Sequence, residues 1–233
     1  MSETAKTGWH IYSDAGLSIC FVTPALVTML MSDERHRALY YMITIGLICF
    51  ITTTFKTLYH HPRPYWVKPE IEAISCSNEF GDPSGHSLTS LAGVMVSWLD
   101  YNEAFPQHSP LVRFSLGAVG LTFAFMVGYS RMVLGVHSLD QLAFGFALGI
   151  WVALTMHYIA RPRIFESAES LYKQLPTKPN HARHLLGSLG IYTGLYIFEI
   201  VVYLPTSNFV IPSIWSENLL NKCGERALEG GFF

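Results

Sequence analysis

The stretch GDPSGHSLTSLAGVMVSWLD, residues 81–100, decides how the chain is read. An apolar run begins near Leu88, yet proline, serine, glycine and histidine stand at its mouth. A helix that only enters a membrane has no use for such residues. The apolar block at 87–101 is also short for a bilayer crossing, which takes about 20 residues. It either starts below the membrane surface or continues to about Phe105. In both cases its polar head lies inside the protein, where irregular backbone is tolerated at membrane depth.

The rest of the chain is of the same kind. Of 233 residues, 50% are hydrophobic and only 14% charged, whereas a soluble domain carries about a quarter charged residues. Apolar blocks fall at roughly 15–32, 38–58, 87–101, 110–129, 139–160 and 186–205. The expected fold is all-α, a single polytopic membrane helix bundle over residues 1–233 with about six transmembrane helices. The alternating ~10-residue segments of a membrane barrel are absent. MSETAKTGWHIYSD, residues 1–14, has no basic region running into an apolar core, so no cleavable signal is expected. A net charge of −2 without a basic stripe argues against nucleic acid as a partner.

With six spans, loop parity puts 59–86 and 130–138 on one side of the membrane and 32–37, 102–109 and 161–185 on the other. The first side then gathers KTLYHHPRPYW (56–66), DPSGH (82–86) and SRMVLGVHSLD (130–140). Basic residues on the opposite side (Arg35, Arg37, Arg161, Arg163, Lys173, Lys178, Arg183) outnumber those on the motif side that are not committed to a site. The positive-inside rule therefore places the motif side outward or lumenal. Cys20 and Cys49 fall in apolar spans and read as buried small hydrophobes. Cys76 and Cys223 face the motif side, where a disulfide is available if that side is oxidising; four cysteines alone do not specify it.

The three motif segments read as one pocket. A helix start leaves about four backbone N–H groups unpaired, and its dipole favours an anion. Asp82, Ser84 or Ser87 can cap the helix, Gly85 lets the backbone approach a ligand, and His86 can exchange a proton near neutral pH. Lys56, Arg63 and Arg131 are costly at a membrane boundary unless they meet an anion, and arginine matches phosphate with a planar fork. A second histidine, His137, suggests a nucleophile whose other nitrogen needs an acceptor. Asp140 and Gln141, three and four residues on, both lie on the same helical face as His137.

Lys56 with Arg63-Pro64, then Pro83-Ser84-Gly85-His86, then Ser130-Arg131 with His137, resembles the three-part signature of the type 2 phosphatidic acid phosphatase superfamily over about residues 56–145. The resemblance implies a phosphate site at one membrane face, with His137 as a nucleophile forming phosphohistidine and His86 as general acid. It implies phosphate binding by Lys56, Arg63, Ser84, Gly85 and Arg131, and chemistry with no cofactor and no metal. That accords with the lack of any evident carboxylate cluster suited to magnesium. The family usually has Asp four residues after the nucleophile. Here that place holds Gln141, as in the glucose-6-phosphatase branch, and the Asp is one residue early. Asp140 is expected to do most of the orienting, because a carboxylate stabilises developing imidazolium charge.

The expected function is hydrolysis of a phosphate ester or diphosphate, with a phosphorylated lipid as substrate and membrane lipids as surroundings. The alternatives are a lipid phosphotransferase with the same site, and a non-catalytic relic serving as a subunit of a larger membrane assembly. Outside the motifs, His60 and His61 read as interfacial, and Tyr65 and Trp66 as aromatics of the membrane boundary. Gly145 and Gly149 read as a close helix contact within the bundle, and Glu199 as a carboxylate with a Tyr or Thr partner on a neighbouring helix. The stretch RPRIFESAESLYKQLP reads as an amphipathic surface helix or a solvated loop.

Overall fold

The computed structural model describes residues 2–17, 35–174 and 181–228, with isolated positions between Ile19 and Leu30. Its helices are α1 (Glu3–Leu17), α2 (Arg35–Tyr59), the short α3 (Pro64–Val67), α4 (Gly85–Ala104), α5 (Pro110–Val133), α6 (Leu139–Thr155), α7 (Arg161–Gln174), α8 (His181–Thr206) and α9 (Ser213–Cys223). A π-helical turn, Met156–Ala160, joins α6 to α7. No strand occurs among the described residues, and the protein is a polytopic membrane helix bundle.

Four stretches among the described residues are long and apolar enough to cross a membrane: His36–Val67, Pro110–Val133, Leu139–Leu171 and Leu186–Thr206. The expected block at 15–32 lies largely outside the described residues. The expected block at 87–101 is a 20-residue helix running on to Ala104, but buried Ser87, Thr89, Ser90 and Asp100 lower its hydropathy. It is a core helix rather than a lipid-facing one. Leu88, Ala92 and Val96 of α4 pack with Tyr40, Ile48 and Ile51 of α2 and with Val152, Ala153 and Met156. By contrast α8 turns large apolar side chains outward along most of its length, as a helix solvated by lipid does.

Glycines let the neighbours of α4 come close. A Cβ added at Gly145 would stand 2.6 Å from Ser84 O, and one at Gly149 would stand 2.9 Å from Leu88 O. A Cβ at Gly117 or Gly120 of α5 would meet Trp98 or Val94, each at 2.7 Å. The GxxxG of α6 thus packs within the bundle, and small residues allow backbone contact there. Glu199 on α8 accepts a hydrogen bond from Thr54 of α2 at 2.8 Å. Cys49 is exposed on α2 rather than buried, since that face of α2 looks outward; Cys20 lies outside the described residues.

At the end of the bundle away from the motifs, charges form a clamp. Asp100 of α4 receives Arg37 at 2.7 Å and Arg161 at 2.8 Å, and accepts from Tyr41 at 3.1 Å. Glu103 receives Arg161 and lies 3.0 Å from His157. Deleting one member of a buried pair costs about 3–5 kcal/mol because its partner is left uncompensated. The clamp therefore fixes α2, α4 and the π-helical turn against one another.

Candidate active site

The opposite end of α4 carries the site, and each element delivers one piece. Ser84 caps α4, its hydroxyl accepting from the Ser87 N–H at 3.4 Å and from the Ser87 hydroxyl at 3.0 Å. The last turn of α2 presents Lys56, the residue before α3 is Arg63, and the last turn of α5 presents Arg131. His137 immediately precedes Ser138, the N-cap of α6. These groups are sequestered: Arg63 is 3%, His137 5%, Arg131 8% and Ser84 0% exposed. The three motif segments, far apart in sequence, converge.

His137 is held in one tautomer. Its Nδ1 lies 3.2 Å from Gln141 Oε1, and its Nε2 lies 3.3 Å from Arg63 Nη1. A guanidinium can only donate, so Nε2 is the acceptor and carries the lone pair, while Nδ1–H donates to the Gln141 carbonyl. The Gln141 amide is fixed in turn. Its Nε2 donates to Pro62 O at 2.9 Å, and its Oε1 accepts from the Ser138 N–H at 3.2 Å. Gly81 is required beside it, because a Cβ there would collide with the Gln141 amide. Burial, together with the nearby charges of Arg63, Arg131 and Lys56, pushes the His137 pKa well below the ordinary imidazole value. The ring is neutral in the resting site, and its bare Nε2 faces the cations.

This corrects the expectation for Asp140. The group on Nδ1 is Gln141, and Asp140 turns to the rim. His137 is not part of a helix: α6 begins at Leu139 behind the Ser138 cap. The helical-face spacing from His137 therefore does not apply. The residue that folds back is the third of α6, through a capping box of Ser138 and Gln141. The Asp140 side chain is exposed and lines the rim cavity beside Ser138.

His61, expected to be merely interfacial, faces the site. Its Nδ1 lies 3.0 Å from Asp82 Oδ2 and 3.5 Å from Gln141 Nε2. His61, Asp82 and Asp140 have ligand-type atoms within 4.8 Å of one another. The three residues come from separate segments, so no local spacing announces this cluster. Burial raises the Asp82 carboxyl, with the Asp140 charge adding to it against His61. A cavity of about 350 Å³ opens at this rim, lined by His61, Val67, Ile71, Met132, His137 and Gln141 among others. None of the three cations lines it.

Two further residues enter the site without warning from the sequence. Ser13 of α1 accepts from Arg131 Nη1 at 2.8 Å, while Arg131 Nε is buried with no partner among the described residues. Glu79, in the loop before α4, pairs directly with Lys56, and Arg63 Nη2 lies 3.9 Å from the same carboxylate oxygen. Its backbone carbonyl accepts from Arg63 Nε at 2.7 Å. Burial alone would raise the Glu79 carboxyl, but Lys56, with Arg63 and His86, holds it below the usual range.

Tyr65 and Trp66, expected at the membrane boundary, are fully buried. Tyr65 OH donates to Ser77 O and accepts from Ser77 N, both at 2.8 Å, so it splints the Glu79 loop. α9 covers Trp66: Asn218 donates to Trp66 O at 2.8 Å, and the Trp215 ring lies tilted against it with centroids 6.1 Å apart. Cys76 and Cys223 form a disulfide that ties the same loop to the end of α9.

The PAP2 superfamily profile matches residues 37–165, more than half of the chain and every motif residue above. The chain belongs to the PAP2 superfamily. Over 112 residues this PAP2 chain is 30% identical to the palmitoyl-protein thioesterase-dolichyl pyrophosphate phosphatase fusion 1 of Schizosaccharomyces pombe (strain 972 / ATCC 24843). The match covers 47% of this chain and 17% of that much longer protein. No solved structure matches the chain significantly.

Proposed function

We propose that the protein is an integral membrane phosphatase that hydrolyses a phosphate monoester or diphosphate of a lipid through a phosphohistidine. The single observation that carries this reading is the fixed tautomer of His137, with Nε2 bare and turned toward Arg63. PAP2 membership and the partial likeness to a protein named for dolichyl pyrophosphate phosphatase support a lipid-linked substrate.

In the first step Nε2 of His137 attacks phosphorus and the bond to the leaving oxygen breaks. His86, whose pKa burial and the charges of Arg131, Lys56 and Arg63 hold at about 3 in the resting site, takes up a proton as the negative phosphate offsets those charges, and gives it to that oxygen. Developing charge on the phosphoryl oxygens is met by Lys56, Arg63 and Arg131, donors set in place before reaction. The positive charge arising on the imidazole is shared through Nδ1–H with the Gln141 carbonyl. In the second step water loses a proton to His86 and attacks phosphorus. The P–N bond breaks, phosphate leaves, and His137 is neutral again.

Each step as written uses side chains of this protein and water, and calls for no metal ion. Glutamine at position 141 fits this role, since its amide N–H is taken up by Pro62 O while its carbonyl is turned to His137 Nδ1–H. The Cys76–Cys223 disulfide supports an oxidising, extracytoplasmic location for the site. The test is phosphate release by the purified full chain across lipid phosphates, lipid diphosphates and glucose 6-phosphate, with trapping of an acid-labile phosphoenzyme. Release from a lipid phosphate together with label on His137 is expected. No release from any of them overturns the reading.

A further inference from the structure

The space that a phosphoryl group would take is not empty of charge. Lys56 and Arg63 converge on the carboxylate of Glu79, 23 residues beyond Lys56 in the chain. Resting on the reading of Lys56, Arg63 and Arg131 as a phosphate cradle, we propose that Glu79 is an internal anion that latches this cradle shut, and that substrate opens it by displacing the carboxylate.

Three observations carry this. First, Lys56 and Arg63 are 12% and 3% exposed in their side chains, whereas Glu79 is 46% exposed. The cations are fixed and the anion is the movable partner. Second, the backbone of Glu79 is pinned independently of its carboxylate: its carbonyl accepts from Arg63 Nε, and its N–H donates to Ser77 Oγ at 3.2 Å. Release of the latch therefore needs only rotation of the side chain, and the loop can stay in place. Third, the rim cavity reaches His137 and Gln141, whereas neither the three cations nor Glu79 lines it, so the paired cradle is closed off from that open space.

The latch sets a charge criterion. A carboxylate contributes one negative charge to the cradle. A phosphate monoester dianion or a terminal diphosphate brings more and displaces it with a net electrostatic gain. A phosphodiester brings only one charge and gains nothing by the exchange. Glu79 thus selects terminal phosphoryl groups and excludes the diester headgroups of ordinary membrane phospholipids.

Vanadate, a phosphate-shaped oxyanion, reports on the cradle without turnover. Its affinity for the full chain in detergent is measured by thermal-shift titration for wild type, Glu79→Gln and Glu79→Ala. Both variants are expected to bind about tenfold tighter, the factor by which a latched population of about nine in ten weakens apparent affinity. Their relative kcat/KM for a diester over a monoester is expected to rise. Equal or weaker vanadate binding in both variants overturns the latch, and Glu79 then only supports Lys56; the phosphatase reading survives if wild type still releases phosphate. Tighter binding without hydrolysis by any form sustains the latch and sinks the phosphatase reading. Failure of every form to bind vanadate overturns both.

Discussion

Nδ1 of His137 and Oε1 of Gln141 lie 3.2 Å apart, and the amide is locked by Pro62 O at 2.9 Å. An amide is therefore the only side chain of this size that satisfies both neighbours. Gln141→Ala is expected to lower kcat by about a hundredfold, within the range for losing an oriented acid–base group. Gln141→Glu does not rescue it, because a carboxylate oxygen would face the Pro62 carbonyl. Asp140→Asn is expected to change kcat by less than about threefold, as for an exposed rim charge. Steady-state kinetics on the three variants decides the matter, and a more damaging Asp140→Asn would reverse the assignment.

His137→Ala is expected to abolish turnover and phosphoenzyme together. His86→Ala should instead accumulate phosphoenzyme from a substrate with a good leaving group, whose departure needs little proton assistance. Intact-mass spectrometry of samples held above and below acid pH reads both. Phosphoenzyme on the His137→Ala protein would exclude that residue as nucleophile.

Protonation removes the lone pair of His137, and its pKa is lowered by burial and by Arg63, Arg131 and Lys56. The acid limb of kcat/KM assigned to His137 should therefore fall below about 6.5, the free imidazole value. Stability follows the same sign. In the unfolded chain His137 takes a proton near pH 6.5 and in the folded chain only lower. Its contribution is thus intact above that value and is lost as pH falls toward the folded pKa. Rate profiles and melting curves between pH 4 and 8 test both trends; an acid limb above pH 7 set by His137 contradicts the first.

Activity is expected to survive EDTA, because no step draws on a metal. The groups to watch are His61, Asp82 and Asp140, gathered at the rim. If EDTA abolishes turnover and magnesium or zinc restores it, repeating the titration on Asp82→Asn tells whether that cluster holds the ion.

Breaking the Cys76–Cys223 link, by reductant or by Cys76→Ser, is expected to destabilise the fold by about 2–5 kcal/mol. The effect should centre on the loop splinted by Tyr65, since that loop joins the disulfide to Glu79. Hydrogen exchange confined to 72–84 and to α9 would show it, while a uniform change across the bundle would not fit.

The cations and histidines were legible because charge is conspicuous in an apolar sequence and needs a reason. Lys56, Arg63, Arg131, His86 and His137 announced themselves in that way. Glu79 did not, since SCSNEFGD has no periodicity and its partner lies on another element. Ser13 meets Arg131 across 118 residues, a separation no local pattern encodes. The choice between Asp140 and Gln141 failed on a boundary. Helical spacing does not hold from His137, which lies outside the helix, and Ser138 with Gln141 three residues on forms a capping box instead. Tyr65 and Trp66 were misplaced because their cover comes from α9, a short helix near the end of the chain.

The glycines that seat α5 and α6 on α4 also govern traffic. With Gly145 and Gly149 against the backbone of α4, the seam between α4 and α6 has no width for a hydrocarbon chain, whereas the other flank, between α4 and α5, holds an apolar cavity of about 490 Å³ lined by Val94, Trp98, Leu116, Val119, Gly120 and Phe123. A tail attached to a phosphate at His137 therefore has no path between α4 and α6. The closeness at Gly145, whose Cβ would stand 2.6 Å from Ser84 O, means that enlarging this glycine would push the head of α4, with Ser84 and His86, away from His137.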